Sequence, residues 1–223
     1  VYLKFFSPTA IENSTLGYYL LQNENDSSFQ INSTEAILKS NSKADFFTLT
    51  AGGNLVRNNL NISLAGENCE AHLNGLYLGK GEQHFDNHTL VEHKNPNSFS
   101  NELYKGIMND KSTGVFNGKV YVFRDAQKTN AYQSNQNILL SDNANAFSKP
   151  ELEIYADDVK CSHGSTTGQL DDEAIFYLRS RGISGENAKK LLLYAFAGEV
   201  VEKIKIEAVK KFVARLVEKS IGQ

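Results

Sequence analysis

Val122-Phe123-Arg124-Asp125-Ala126, Leu140-Ser141-Asp142-Asn143-Ala144 and Ile154-Tyr155-Ala156-Asp157-Asp158-Val159 are three forms of one phrase. An apolar residue is followed after two or three positions by Asp, Asn or Thr, and then by a small or β-branched residue. Earlier copies stand at Phe6-Ser7-Pro8-Thr9-Ala10 and Leu64-Ala65-Gly66-Glu67-Asn68-Cys69. The last three copies end 18 and 15 residues apart. That spacing predicts coils of a parallel β-helix, in which no coil buries its apolar face alone and each must stack on the next. A β-sandwich also accounts for short strands and frequent turns, but not for a recurring phrase. The β-helix is the preferred reading and the sandwich the alternative. A rod of stacked coils has long flat flanks, a shape that presents partners better than it encloses a substrate.

Working outward, the phrase stops before Asp171, where composition changes. Of the 23 asparagines, 22 precede Asp171, as do all three prolines. Both residue types favour turns over helix, so this part should form short strands joined by many turns. From Asp171 onward Ala, Leu, Glu, Lys and Val dominate, which suits helix. Charge divides at the same place. Residues 171–223 hold ten Lys/Arg against eight Asp/Glu, and residues 1–170 hold thirteen against eighteen. The fold expected is mainly β, with a β-helix core over 1–170 and a small C-terminal α-helical domain over 171–223.

Three helices are legible in that domain. Asp171-Asp172-Glu173 places acids at a helix start, and Gly182 supplies a stop after Ala174 to Arg181. Ser184 is the expected N-cap of the next helix, with Leu191, Leu192, Ala195 and Phe196 on one side. Ile206, Val209, Val213 and Leu216 form an amphipathic stripe in the third. Most of these residues should pack on one another. Three short helices make a thin core, however, so some of Phe176, Tyr177, Tyr194, Phe196 and Phe212 are expected to serve another surface.

The chain has 223 residues and a formal net charge of −3, so no global field points to nucleic acid or to an anionic membrane. No apolar run approaches the roughly 20 residues that span a bilayer. Val1-Tyr2-Leu3-Lys4-Phe5-Phe6 already reads as a strand and lacks the pattern of a signal peptide, so upstream sequence is expected. Two cysteines, Cys69 and Cys161, are too few for a disulfide framework. Asn-x-Ser/Thr triplets at Asn13, Asn25, Asn32, Asn61 and Asn87 follow from the asparagine-rich composition, and a reducing cytoplasmic setting is the expectation.

The sequence holds no phosphate-binding glycine loop, nucleophile elbow or paired-cysteine zinc pattern. His84, Asp86 and His88 share one face of a strand, but the two histidines are roughly 13 Å apart along it, too far for one ion without a bend. His93 does not repair that geometry. Cys161-Ser162-His163-Gly164 is sharper, because Cys161 and His163 share a strand face at roughly 7 Å. Thiolate and imidazole both ligate iron, yet two ligands are too few for a cluster, so a partner would supply the rest. On the residues alone, an inert cysteine beside a hydrogen-bonded histidine is the simpler reading. A cysteine–histidine nucleophile pair is weaker, since nothing nearby resembles an oxyanion hole.

Glu151-Leu152-Glu153-Ile154-Tyr155-Ala156-Asp157-Asp158-Val159-Lys160-Cys161-Ser162-His163-Gly164 closely resembles a segment of the SufB/SufD family of iron–sulfur cluster assembly scaffolds. Phe176-Tyr177-Leu178-Arg179-Ser180-Arg181-Gly182-Ile183, Leu73-Asn74-Gly75-Leu76-Tyr77 and Gly114-Val115-Phe116-Asn117-Gly118-Lys119 match it as well. So do Asp86-Asn87-His88-Thr89 and Gln127-Lys128-Thr129, and the match runs in order from about Leu20 to Ala197. The Cys-Ser-His-Gly form is similar to the SufD branch.

The resemblance implies a right-handed parallel β-helix followed by a helical domain. It implies pairing with a SufB-like subunit and recruitment of a SufC-like ABC-type ATPase. A transient iron–sulfur cluster would lie at the subunit interface, with no cofactor held stably by the chain alone. It marks His163 as the interface histidine, with Cys161 beside it. Phe176, Tyr177, Arg179, Tyr194 and Phe196 become candidates for ATPase docking. Full-length members carry an N-terminal helical region and earlier coils that have no counterpart here. An unpaired first coil would then promote self-association as a homodimer.

The function expected is therefore a scaffold and not an enzyme. A β-helix enzyme acting on polysaccharide is one alternative. Asp157 and Asp158 are adjacent, however, and a strand sends them to opposite faces, which suits paired acid–base work badly. A stand-alone metal protein using His84, Asp86 and His88 is the other.

Overall fold

The structure is a computed structural model that describes residues 1–222. Its elements begin with strands β1 (Tyr2–Phe6), β2 (Thr9–Ala10), β3 (Thr15–Gln22), β4 (Phe29–Leu38), β5 (Lys43–Thr50), β6 (Leu55–Leu64) and β7 (Glu70–Gly79). There follow β8 (His84–His93), β9 (Phe99–Met108), β10 (Thr113–Val122), β11 (Thr129–Leu139), β12 (Asn145–Ile154) and β13 (Val159–Gly168). Helices α1 (Asp172–Ser180), α2 (Gly185–Val201) and α3 (Glu207–Ile221) close the order.

All described strand pairs are parallel, and from β2 onward successive strands alternate between two sheets. One sheet runs β1-β4-β6-β8-β10-β12, with β2 also on β4, and the other runs β13-β11-β9-β7-β5-β3. This is the predicted parallel β-helix. Phe29 pairs with Leu55 and Thr113 with Asn145, so one coil takes from 26 to 32 residues. The 15- and 18-residue spacing of the phrase is therefore half a coil. The four later copies are corners between sheets, whereas the copy at 6–10 joins β1 to β2 within one sheet. The small residue turns inward in all, with Ala10, Cys69, Ala126, Ala144 and Ala156 buried.

The asparagines have two structural uses. Asn13, Asn41, Asn68 and Asn97 take positive φ at equivalent corners, a conformation Asn tolerates better than most residues. Inside the coil, Asn32 donates to Asn58 (2.9 Å) and Asn58 to Asn87 (3.1 Å), forming a ladder across three strands in register. The triplets at Asn32 and Asn87 are thus buried and closed to glycans.

Alternate residues of β6, β8 and β10 are buried, the period-2 signature of strands with one face inward. The interior holds Phe46, Leu73, Phe85 and Phe116 at its centre. β7 and β9 are buried on both faces in their later halves, because the helices cover the outside of their sheet. Leu49, Leu76 and Leu78 there join Leu193, Val200, Val213 and Val217 of α2 and α3 in a second core. Lys105 ties the layers further: its buried ammonium pairs with Glu199 and lies 4.3 Å from the Phe196 ring centre.

The helix signals hold with two corrections, the first being that Ile206, expected in the stripe of the third helix, precedes α3 as its N-cap and is half exposed. Asp171 caps α1 by accepting from the Glu173 N–H (2.9 Å), Gly182 follows it at φ 86°, and Ser184 caps α2. The predicted inward side of α2 is not the one observed. Ala188, Leu193, Ala197 and Val200 are buried instead, while Leu191 is exposed. α2 is apolar almost all round, so its periodicity did not single out a face, and the sheet beneath it made the choice. Among the described residues no helix is long and apolar enough to cross a membrane.

Candidate functional site at the last coil

β12 and β13 end their sheets, so one side of each lies open to solvent. Residues of β11 alternate inward as Thr129, Ala131, Gln133, Asn135 and Asn137, all buried. Parallel register places Cys161 on Ala131 and His163 on Gln133. Both candidate ligands therefore belong to the inner lanes of the coil at its open end. They lie two residues apart on one strand face, as expected.

Their environments differ. Cys161 is half-buried and packs against the cluster of Val120, Val122, Ala126, Ala131 and Ala156. Burial pushes its thiol up, and a hydrogen bond with the Ala131 backbone offsets only part of this. A thiol held protonated is a poor nucleophile and a poor ligand until something displaces the proton. His163 is exposed, with one open side toward solvent.

The lane behind His163 is polar. Phe46, Leu73, Glu102, Gln133 and His163 follow one another in register on successive strands. Glu102 and Gln133 are only 2% and 3% exposed, and Gln133 Nε2 donates to Glu102 Oε2 (2.8 Å). Burial pushes the Glu102 carboxyl up to about 7, against the lowering pull of the Gln133 amide. Thr89 Oγ1, Glu102 Oε1 and Gln133 Oε1 are all buried without a protein hydrogen bond. A second polar lane runs beside it. Tyr77 donates to Asn137, Asn135 donates to Tyr77 (3.0 Å), and Asn137 donates to Thr167 on the last strand (3.4 Å).

Sequence reasoning missed Glu102, Gln133 and this tyrosine–asparagine set. The one available signal was their parity: each shares the inward phase of its strand with residues such as Tyr104 and Met108.

His84, Asp86 and His88 face outward on β8, while His93 faces inward. Asp86 is engaged by Arg57 Nη1 (2.7 Å) and lies 2.9 Å from His88 Nε2. His93 is fully buried against Ser100 (2.8 Å), and burial lowers its pKa to about 4. Among the described residues no group of three or more His, Cys, Asp or Glu side chains could hold a metal ion.

On the helices, Phe176 (72% exposed), Tyr177 (58% exposed) and Arg179 are exposed on α1, with the Arg181 guanidinium 5.2 Å from the Tyr177 ring centre. Tyr194 and Phe196 are partly buried against the second core.

Comparison with known proteins places these features. Residues 5–196 match the family described as SUF system FeS cluster assembly, SufBD core domain. The iron–sulfur cluster assembly protein SufD of Escherichia coli is 38% identical over 206 residues, covering 92% of this chain and 49% of that protein. A SufBD family protein of Synechocystis is 37% identical, covering 89% of this chain and 44% of its own length. SufD of Bacillus subtilis is 33% identical, with 71% and 36% covered. The chain thus spans about half or less of these relatives. With 192 consecutive positions in the family match and a parallel β-helix carrying the Cys-Ser-His-Gly strand at its end, the chain belongs to the SufBD core family and is of the SufD type.

Proposed function

We propose that this chain works in iron–sulfur cluster assembly as a scaffold, with His163 as a ligand or acceptor for the cluster being built. The cluster is cargo and not a resident cofactor. One observation carries the reading: His163 sits on an inner lane of the last coil, at the open end, with a polar lane behind it. Cys161 is the second candidate. Its raised thiol pKa means that metal or a neighbouring cation must displace the proton before it binds.

Two such groups do not complete a cluster, so the remaining ligands come from a SufB-like subunit. The unpaired edges of β12 and β13 suit addition of that subunit's strands, because edge N–H and C=O groups seek partners. The exposed face of α1, with Phe176, Tyr177 and Arg179, is the docking surface for a SufC-like ATPase, and Tyr194 and Phe196, partly buried against the second core, are the further candidates on α2. Such a chain has no turnover of its own and acts in the cytoplasm.

The test is anaerobic co-expression of the full-length protein with SufB-like and SufC-like partners. His163→Ala should leave the complex assembled and abolish its cluster absorption; a wild-type cluster yield overturns the role. Replacing Phe176 and Tyr177 together by Ala should release the ATPase while the SufB-like subunit stays bound. Undiminished ATPase co-purification would refute the docking surface.

A further inference from the structure

Adjacent strands of a sheet are about 4.8 Å apart, so residues in register on neighbouring strands touch. On this sheet the lane that ends at His163 begins with Phe46 and Leu73, which are sealed in hydrocarbon. Hydrocarbon could fill the next two places equally well. They hold instead a carboxyl and an amide, Glu102 and Gln133, both deeply buried. Burying a carboxyl is costly, and its one hydrogen bond in the structure is the one from Gln133 Nε2 (2.8 Å).

That bond has a directional consequence. A glutamine amide has a nitrogen and an oxygen of nearly equal size, so packing alone does not orient it. Glu102 Oε2 takes the amide nitrogen, and the opposite sheet leaves room for it: a Cβ on Gly118 would come within 2.4 Å of Gln133 Nε2. The amide oxygen is then the free end. Gln133 Oε1 is buried and has no protein partner, and the next residue in the lane is His163.

We propose that Gln133, fixed by Glu102, is a positioning residue that selects which ring nitrogen of His163 faces the open end of the coil. This rests on reading His163 as a residue of the cluster site. A neutral imidazole carries one N–H and one lone pair, and only the lone pair binds metal. A His163 nitrogen that donates to Gln133 Oε1 keeps the hydrogen, so the other nitrogen presents its lone pair outward, as second-shell acceptors do for many metal-binding histidines. Glu102 acts one step further back by keeping the amide from turning over.

The tautomer of His163 tests this directly. In the full-length protein labelled with 15N-histidine, His163 is assigned by the signal lost in His163→Gln. The ring shifts of wild type should report one dominant tautomer. Gln133→Leu places at this position the side chain that Leu73 already contributes to the lane, and it should move His163 toward a mixture. Glu102→Leu should do the same, whereas Glu102→Gln, which keeps an acceptor oxygen, should restore the wild-type shifts. Unchanged His163 shifts in Gln133→Leu, or equal disturbance by Glu102→Gln and Glu102→Leu, overturns the inference.

Should Glu102→Leu fail to fold, Gln133→Met gives a second readout at the amide itself, with the same expected shift. The outcome separates from that of the cluster reading. A tautomer shift alongside full cluster yield in His163→Ala refutes the cluster role alone. Loss of cluster in His163→Ala with no tautomer shift in Gln133→Leu refutes only the positioning role.

Discussion

Phe46 and Leu73 share an interior lane with Glu102, Gln133 and His163, one strand apart at each step, yet the two halves of that lane do different things. The first half is closed hydrocarbon, continuous with Phe85 and Phe116. The second half is polar, carries buried oxygens without partners, and opens at the last coil. In a solenoid each coil is supported only by its neighbours, so an interior lane can change character within one step without disturbing distant coils. The comparison teaches that along this lane hydrocarbon packing is confined to the earlier coils, while the last ones exchange it for a polar end.

The strongest way to break this comparison is to empty the apolar half. Leu73 is fully buried, and Leu73→Ala should cost about 2–5 kcal/mol in urea unfolding, by lost transfer energy and the cavity left behind. A cost comparable to a surface substitution would mean that the interior is not packed as described.

Glu102 sharpens the comparison from the polar side. Its carboxyl titrates at about 7 in the folded chain and near 4.5 when unfolded. Between those values the folded state keeps a proton that the unfolded state has released. Stability therefore falls as pH rises through this window and stays lowered above it. Glu102→Gln should remove that loss, making the protein about 1–3 kcal/mol more stable than wild type at pH 8 and similar to it at pH 4. Denaturation midpoints at the two pH values decide it, and equal midpoints at pH 8 would count against a buried proton at Glu102.

His93 behaves in the opposite sense and by a smaller margin. Its imidazole stays neutral down to about 4 in the folded chain, whereas an unfolded histidine protonates near 6.5. Here the unfolded state binds the extra proton, so stability falls as pH drops from 6.5 toward 4. His93→Gln should flatten that acid limb, with a net effect of about 1–2 kcal/mol at pH 4.5 after the lost Ser100 contact is counted. In wild type the two groups pull against each other between pH 4.5 and 6.5. Each single variant should expose the slope of the other, and a variant with unchanged slope would show that its group does not titrate in this window.

Much of the architecture was legible because its causes are local. The break at Asp171 follows from turn-forming residues giving way to helix formers. The caps at Asp171 and Ser184 lie within three residues of the N–H groups they accept from. The corner asparagines follow from a backbone conformation that one residue type tolerates better than its neighbours. His163 is a candidate through resemblance to a family strand, and its place on an inner lane agrees with its alternation with Cys161.

The rest was not legible because its causes are distant. Leu73, Glu102, Gln133 and His163 stand 29 to 31 residues apart, and only the stacking of coils brings them together. Corner phrases read as whole coils until the pairing showed that each coil turns two corners. The buried face of α2 was undecided for the same kind of reason: an evenly apolar helix takes its orientation from the surface beneath it. The sequence by itself determined the strand and helix regions, the turns and the caps, since each depends on residues close along the chain, and the family resemblance singled out one candidate histidine, His163. Only the tertiary structure decided what stands behind that histidine, because register between coils couples residues that no local pattern connects.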